Sequence, residues 1–128
     1  MSKYAALSNG EWKIMNILWE KSPITIAEIV SALRDDTAWT KATVFMMLSR
    51  MGKKGAVRFE EGGRSKFFYP VWNKENSAIN ETESFLSRVY GGSLKLMLSS
   101  MTDQKSLTKE DIDELYSILK KAEEEARK

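Results

Sequence analysis

The chain has no cysteine and no histidine among its 128 residues. Without cysteine there are no disulfides, no thiolate metal site and no thiol redox switch, a composition that fits the cytosol. Without histidine the commonest general base is missing, and the Ser–His and Cys–His nucleophilic arrangements go with it. Zinc would have only carboxylates to bind, which makes a poor site. Neither a Gly-x-x-x-x-Gly-Lys phosphate loop nor a dinucleotide fingerprint occurs. The 18 acids include no pair that the sequence singles out, and they read as a solvated surface. No apolar run approaches the ~20 residues of a membrane span. Met1-Ser2-Lys3-Tyr4 lacks the apolar core of a secretory signal. These absences point away from catalysis, metals, cofactors and membranes, and toward a cytoplasmic protein with no enzymatic activity.

An apolar fraction of 42% is ordinary for a globular chain and argues against disorder. The length suits one domain, or one small domain with an appendage. The net charge of +2 hides an asymmetry. Residues 1–72 carry 11 basic and 7 acidic side chains, whereas residues 73–128 carry 9 and 11. Within residues 37–72 seven cations (Lys41, Arg50, Lys53, Lys54, Arg58, Arg64 and Lys66) face only Glu60 and Glu61. A local basic surface of this kind is the footprint of a polyanion binder, although a solvated face with a chance excess gives the same count.

Three helices announce their starts with one device. Ser8-x-x-Glu11, Thr25-x-x-Glu28 and Thr108-x-x-Asp111 are capping boxes or their Asp variant. Each also offers a hydrophobic staple: Leu7 with Trp12, Ile24 with Ile29, and Leu107 with Ile112. The spacing predicts a first helix from about Asn9 to Lys21, with Trp12, Met15, Leu18 and Trp19 on its apolar face, and Ser22-Pro23 breaking it. A second, from about Ile26 to Leu33, buries Ile26, Ile29, Val30 and Leu33. A third starts near Thr40, turns Val44, Met47, Leu48 and Met51 inward, and shows Ala42, Thr43, Phe45, Met46, Ser49 and Arg50 on its other side.

After Lys53-Lys54-Gly55 the pattern changes to a hairpin centred on Gly62-Gly63. Two registers fit. A two-residue Gly62-Gly63 turn sets Val57 opposite Phe68 and Phe59 opposite Lys66. A three-residue loop ending at Arg64 puts Val57, Phe59, Phe67 and Tyr69 on one face and Glu60 opposite Lys66. A slip of one residue reverses every side chain. In either register Arg64 sits at the tip or flank. Three short helices followed by such a hairpin make a winged helix: the helix enters the major groove and the wing lies on the neighbouring backbone.

Pro70-Val71-Trp72-Asn73 marks the exit from this core. Beyond it, Ile79, Thr82, Phe85, Leu86, Val89 and Tyr90 share one helical stripe, and Gly91-Gly92 interrupts it. Leu94, Met97, Leu98 and Met101 form a shorter stripe. Thr102-Asp103-Gln104-Lys105-Ser106 reads as a polar loop, and a last helix from about Lys109 aligns Ile112, Leu115, Leu119 and Ala122. So few residues have little core of their own. Their stripes need either a second copy of the chain or the first domain to pack against, and the dimer is the leading expectation.

The chain resembles the penicillinase-repressor (BlaI/MecI) family of winged-helix repressors. The resemblance rests on the run from Leu7 to Trp19 with its Glu-Trp-x-x-Met-x-x-Leu-Trp opening, on Trp39-Thr40-Lys41-Ala42-Thr43-Val44, on Leu48 to Gly55, and on Phe68-Tyr69-Pro70. It continues through Phe85 to Gly92 and Leu107 to Leu115, so it runs nearly end to end. It implies a dimeric transcriptional repressor, mostly α with a small β wing. A winged helix-turn-helix DNA-binding domain (residues 1–72) would precede a helical dimerisation domain (residues 73–128). A recognition helix over about 40–54 and a basic wing over about 57–70 would bind a dyad-symmetric double-stranded operator. An inducing protease or another signal component is the further partner that the family implies.

Carried over by position, Thr40, Lys41 and Thr43 lie at the groove-entering end of the recognition helix, with Met46 and Arg50 following. Threonine can bond base edges or phosphate, and an apolar side chain can meet a thymine methyl. Arg50, Lys53, Arg58, Arg64 and Lys66 are backbone contacts that set register, with Arg50 equally suited to a structural ion pair. The dimerisation residues would be Phe85, Leu86, Val89, Tyr90, Leu94, Met97, Leu98, Ile112, Leu115 and Leu119. The chain departs from its relatives at Ala42 and Phe45, positions that are often polar or basic, so Phe45 is either a packing residue or an exposed apolar reader. It also lacks the Asn-Phe bond that β-lactam-responsive members have cut, since Ser99-Ser100 stands there, and it lacks the Cys-rich tail of copper-responsive members. An interaction module of winged-helix form that binds no DNA is the alternative.

Overall fold

The structure, a computed structural model, describes residues 6–104 and 106–127. The Met1-Ser2-Lys3-Tyr4 segment and Lys105 of the expected polar loop lie outside the described residues. The chain falls into two compact units, Met1–Thr82 and Glu83–Lys128.

In the first unit, α1 (Asn9–Glu20), α2 (Ile26–Ala32) and α3 (Lys41–Lys53) precede β1 (Val57–Gly62) and β2 (Ser65–Pro70). The expected boxes at Ser8 and Thr25 both form, each hydroxyl accepting from the N3 backbone while the N3 glutamate accepts from the cap N–H. Thr40 caps α3 by accepting from the Thr43 N–H. Ile14, Met15, Leu18, Ile29, Val44, Leu48 and Met51 are buried to within 2% and make the centre of the core. Ile14 is an addition to the expected stripe of α1, whereas Trp12 and Trp19 pack at its margin, only partly buried. Between α1 and α2, Ile24 pairs with Phe68 of β2 through two backbone hydrogen bonds of 3.2 and 2.9 Å, so the wing is sewn to the helical core. Trp19 Nε1 donates to the Trp72 carbonyl at 2.9 Å and fixes the exit of the wing beside α1.

The strands pair antiparallel with Val57 opposite Pro70, Phe59 opposite Phe68, Glu61 opposite Lys66 and Gly62 opposite Ser65. This is neither of the two expected registers. The turn residues are Gly63 and Arg64, one position later than Gly62-Gly63. Gly63 takes φ +71°, which an L side chain adopts only with strain. Gly62 is close-packed for a different reason: the Phe67 ring lies over it, and an added Cβ would push that ring aside. The register turns Val57, Phe59, Phe68 and Pro70 to one face, and burial of Val57 and Phe68 decides it.

α4 (Lys74–Tyr90) begins where Asn73 Oδ1 accepts from the Asn76 N–H at 3.1 Å. The division between the two units falls within it. In the second unit it ends at Gly91 and Gly92, both with positive φ, and α5 (Leu94–Asp103) and α6 (Lys109–Ala126) follow. α5 takes in Thr102 and Asp103, which were expected in the loop: the Gln104 N–H still donates to the Ser100 carbonyl at 3.3 Å, and the Thr102 hydroxyl donates back to the Ser99 carbonyl at 2.9 Å. The box at Thr108 forms as expected. Among the described residues of this unit no side chain is buried. Phe85, Val89, Leu94, Leu96, Met101, Ile112, Tyr116, Ile118 and Leu119 are all more than a third exposed. No helix among the described residues is long and apolar enough to cross a membrane.

Candidate nucleic-acid interface

α3 is held against α1 by a buried acid. Glu11 of the first capping box is 1% exposed and serves two elements at once. Its Oε1 accepts from the Ser8 N–H at 2.8 Å and from Lys54 Nζ at 2.6 Å. Lys54 also donates to the Ala6 carbonyl at 2.8 Å. Arg50 Nε stands 3.8 Å from Glu11 Oε2, an ion pair too long for a hydrogen bond. Burial raises the Glu11 pKa, but the Lys54 hydrogen bond and charge and the Ser8 contacts outweigh it and hold the carboxyl below its ordinary 4.5. Arg50 is therefore tied to the scaffold as well as exposed, and Lys54 is structural.

With Val44, Met47, Leu48 and Met51 fixed inward, helical spacing leaves Ala42, Phe45, Met46 and Ser49 outward. Phe45 is 48% and Met46 62% exposed, which settles Phe45 as a surface residue. Thr40 and Thr43 are bonded to each other: the Thr40 hydroxyl accepts from the Thr43 N–H and donates to the Thr43 hydroxyl, both at 3.2 Å. The Thr43 hydroxyl keeps its own proton to donate. Thr40 is committed to the cap.

The wing divides its charges between two faces. Arg58 is spent within the wing: Nη1 donates to Glu60 Oε1 at 3.0 Å, and the guanidinium lies 4.1 Å over the Tyr69 ring. Tyr69 Oη in turn donates to Glu60 Oε2 at 3.2 Å. On the opposite face Lys66 Nζ sits 4.4 Å over the Phe59 ring and 6.0 Å from the Phe45 ring. Among the described residues no acid stands within ion-pair distance of Lys41, Lys53, Arg64 or Lys66.

Two open hollows flank Phe45. One, of about 530 Å³, gathers Lys41, Arg64 and Lys66 with Ala42 and the start of α2 at Thr25. The other, of about 510 Å³, runs between α3 and the wing, from Ser49 and Lys53 to Arg58 and Phe59. Of the candidates read from the sequence, Lys41, Met46, Lys53, Arg64 and Lys66 thus share an exposed surface whose cations are not ion-paired among the described residues, with Glu61 opposite Lys66 in the hairpin, whereas Arg50 and Arg58 have acid partners. Sequence reasoning placed Ser49 on the outward face without giving it a role, read Thr25 only as a helix cap, and passed over Ser65, which carries no charge or motif to mark it.

A family profile described as "Penicillinase repressor" matches residues 7–121. The chain is similar to the penicillinase repressor of Bacillus licheniformis, with 32% identity over 93% of each chain. The chain is similar also to the solved DNA-binding domain of the repressor BlaI, with TM-score 0.52 and 29% identity over 59% of this chain and 93% of that one. It is similar also to the monomeric form of Bacillus licheniformis BlaI solved in complex with the blaP half-operator, with TM-score 0.50, 29% identity and the same coverage. A family match over most of the chain, together with a three-helix core, a wing and a basic face, settles the matter: the chain belongs to the penicillinase repressor family, a family of transcriptional repressors and not of enzymes.

Proposed function

We propose that this chain represses transcription as a homodimer that occupies a dyad-symmetric operator, each protomer taking one half-site. The observation that carries the reading is the surface of α3 and the wing, where Lys41, Lys53, Arg64 and Lys66 stand without acid partners around an exposed helix face. Lys41 and Lys53 sit at the two ends of α3, and Arg64 and Lys66 on the wing, so cations bracket the outward stripe as phosphates bracket a major groove. The half-operator bound by the Bacillus licheniformis relative supports one half-site per protomer. Adjacent half-sites on one face of the duplex lie about 34–36 Å apart, which sets the spacing that the dimer must match.

The winged helix ending at Trp72 carries the DNA-binding role, and the helices from Asn73 onward carry dimerisation. Support for the dimer comes from the second unit, whose described side chains include none that is buried. Its exposed Phe85, Val89, Leu94, Ile112 and Leu119 need a partner surface, with the half-buried Leu86, Tyr90, Met97, Leu98 and Leu115 beside them. Leu96, Tyr116 and Ile118 add apolar area that the stripes did not include. A second copy supplies a matching face by symmetry. A repressor of this kind works in the compartment that holds the chromosome, which is the cytoplasm of a bacterium. Ser99–Ser100 stands in place of the Asn-Phe bond cut in β-lactam-responsive relatives and lies inside α5, which speaks against induction by a protease of that specificity. A gel shift with the DNA upstream of the chain's own reading frame tests the proposal. A salt-sensitive, sequence-selective shift is expected, and its absence would refute repression by operator binding.

A further inference from the structure

Ala42, Phe45, Met46 and Ser49 form one outward stripe at spacings of three and four along α3, and all four are exposed. On the central part of a surface bracketed by cations, two large apolar side chains point to where base edges would lie. We infer that Phe45 and Met46 read thymine, by packing on its C5-methyl group, and that they are the residues setting base preference at the centre of the half-site. The inference rests on the DNA-binding reading of α3.

The chemistry of the groove makes the choice. In the major groove only thymine presents a methyl, beside its O4 acceptor; guanine, cytosine and adenine offer donors and acceptors that lose water when covered and no methyl to offset that loss. Phe45 and Met46 can replace none of those hydrogen bonds, so they disfavour the other bases while burying a methyl. Few other groups on this stretch compete as readers. The Thr40 hydroxyl is committed to the cap, Ala42 is apolar, and only the Thr43 and Ser49 hydroxyls stay available. Phe45 is also placed: it stands as the ridge between the two hollows, with the Lys66 ammonium 6.0 Å from its ring. Burying one methyl is worth about 0.8 kcal/mol, which is about fourfold in affinity.

Removing that methyl from the DNA tests the inference without altering the protein. The full-length chain is used to select duplexes from a random pool, and each thymine of the selected duplex is then replaced singly by deoxyuridine. Binding is followed by fluorescence anisotropy. The expected result is about a fourfold loss at one or two thymines per half-site. The penalty should vanish at one of them in Phe45→Ala and at its neighbour in Met46→Ala, with Phe45→Leu retaining part of it. If a sequence is selected but deoxyuridine at every position leaves affinity unchanged, the thymine reading is wrong while DNA binding stands. If no sequence is selected, the DNA-binding reading itself falls and takes the inference with it.

Discussion

Replacing Glu11 by glutamine should loosen the winged helix by about 1.5–2 kcal/mol. Glutamine keeps the volume and an oxygen to accept from the Ser8 N–H, so neither a cavity nor the loss of the helix cap enters. What goes is the charge facing Lys54, whose ammonium is 2.6 Å away on a side chain 27% exposed. A hydrogen bond between charged groups is worth about 1.5–3 kcal/mol, and Lys54 keeps the Ala6 carbonyl and some water, which favours the lower end. For a unit of this size the melting temperature should fall by about 8–12 °C. All four tryptophans (Trp12, Trp19, Trp39 and Trp72) lie in the first unit, so their fluorescence follows that unit within the intact chain. The acid dependence supplies a second reading. The folded carboxyl titrates below the ordinary 4.5, so its stabilisation is complete above that value and drains away as pH falls through the lower folded one. Wild type and Glu11→Gln should therefore converge in acid. Equal melting temperatures at neutral pH, or a gap that persists unchanged in strong acid, would refute the clamp.

Other perturbations separate the roles of individual cations and units. Arg64→Ala should weaken binding to all sequences alike and flatten the salt slope, whereas Arg58→Ala, already neutralised by Glu60, should barely move it; the two salt titrations side by side decide. Thr43→Ala should relax base preference in a selection experiment while leaving the dimer intact by light scattering. A chain ending at Thr82 should be a folded monomer by sedimentation with much weaker operator binding, and a truncated chain that stays dimeric would contradict the role of the second unit.

The helix starts were legible because capping is local: Ser8, Thr25 and Thr108 each find their partners within three residues. The inward face of α3 was legible for the same reason, since periodicity alone orients Val44, Met47, Leu48 and Met51. Glu11 was read only as a cap acid. Its second partner, Lys54, lies 43 residues away, and nothing periodic connects them. The hairpin register escaped because two glycines suggest a turn on themselves. The turn instead moved on to Gly63-Arg64, leaving Gly62 beneath the Phe67 ring, a contact between side chain and backbone that composition does not encode. Charge gave the basic surface but not its division. Arg58 and Lys66 looked equivalent until the register put Arg58 beside Glu60 and Lys66 over Phe59.

The central claim is that a basic face on each of two protomers holds DNA, and its salt dependence tests it most directly. On the α3 and wing face, among the described residues, Lys41, Lys53, Arg64 and Lys66 make no ion pair, which gives eight such cations in a dimer. Neutralising eight phosphates gives a slope of about −7 in log affinity against log salt for operator DNA. Anisotropy titrations of the full chain on its selected duplex, across a range of salt, should give that slope with two protomers bound per site. A slope near zero, or saturation at one protomer per site, would contradict the account.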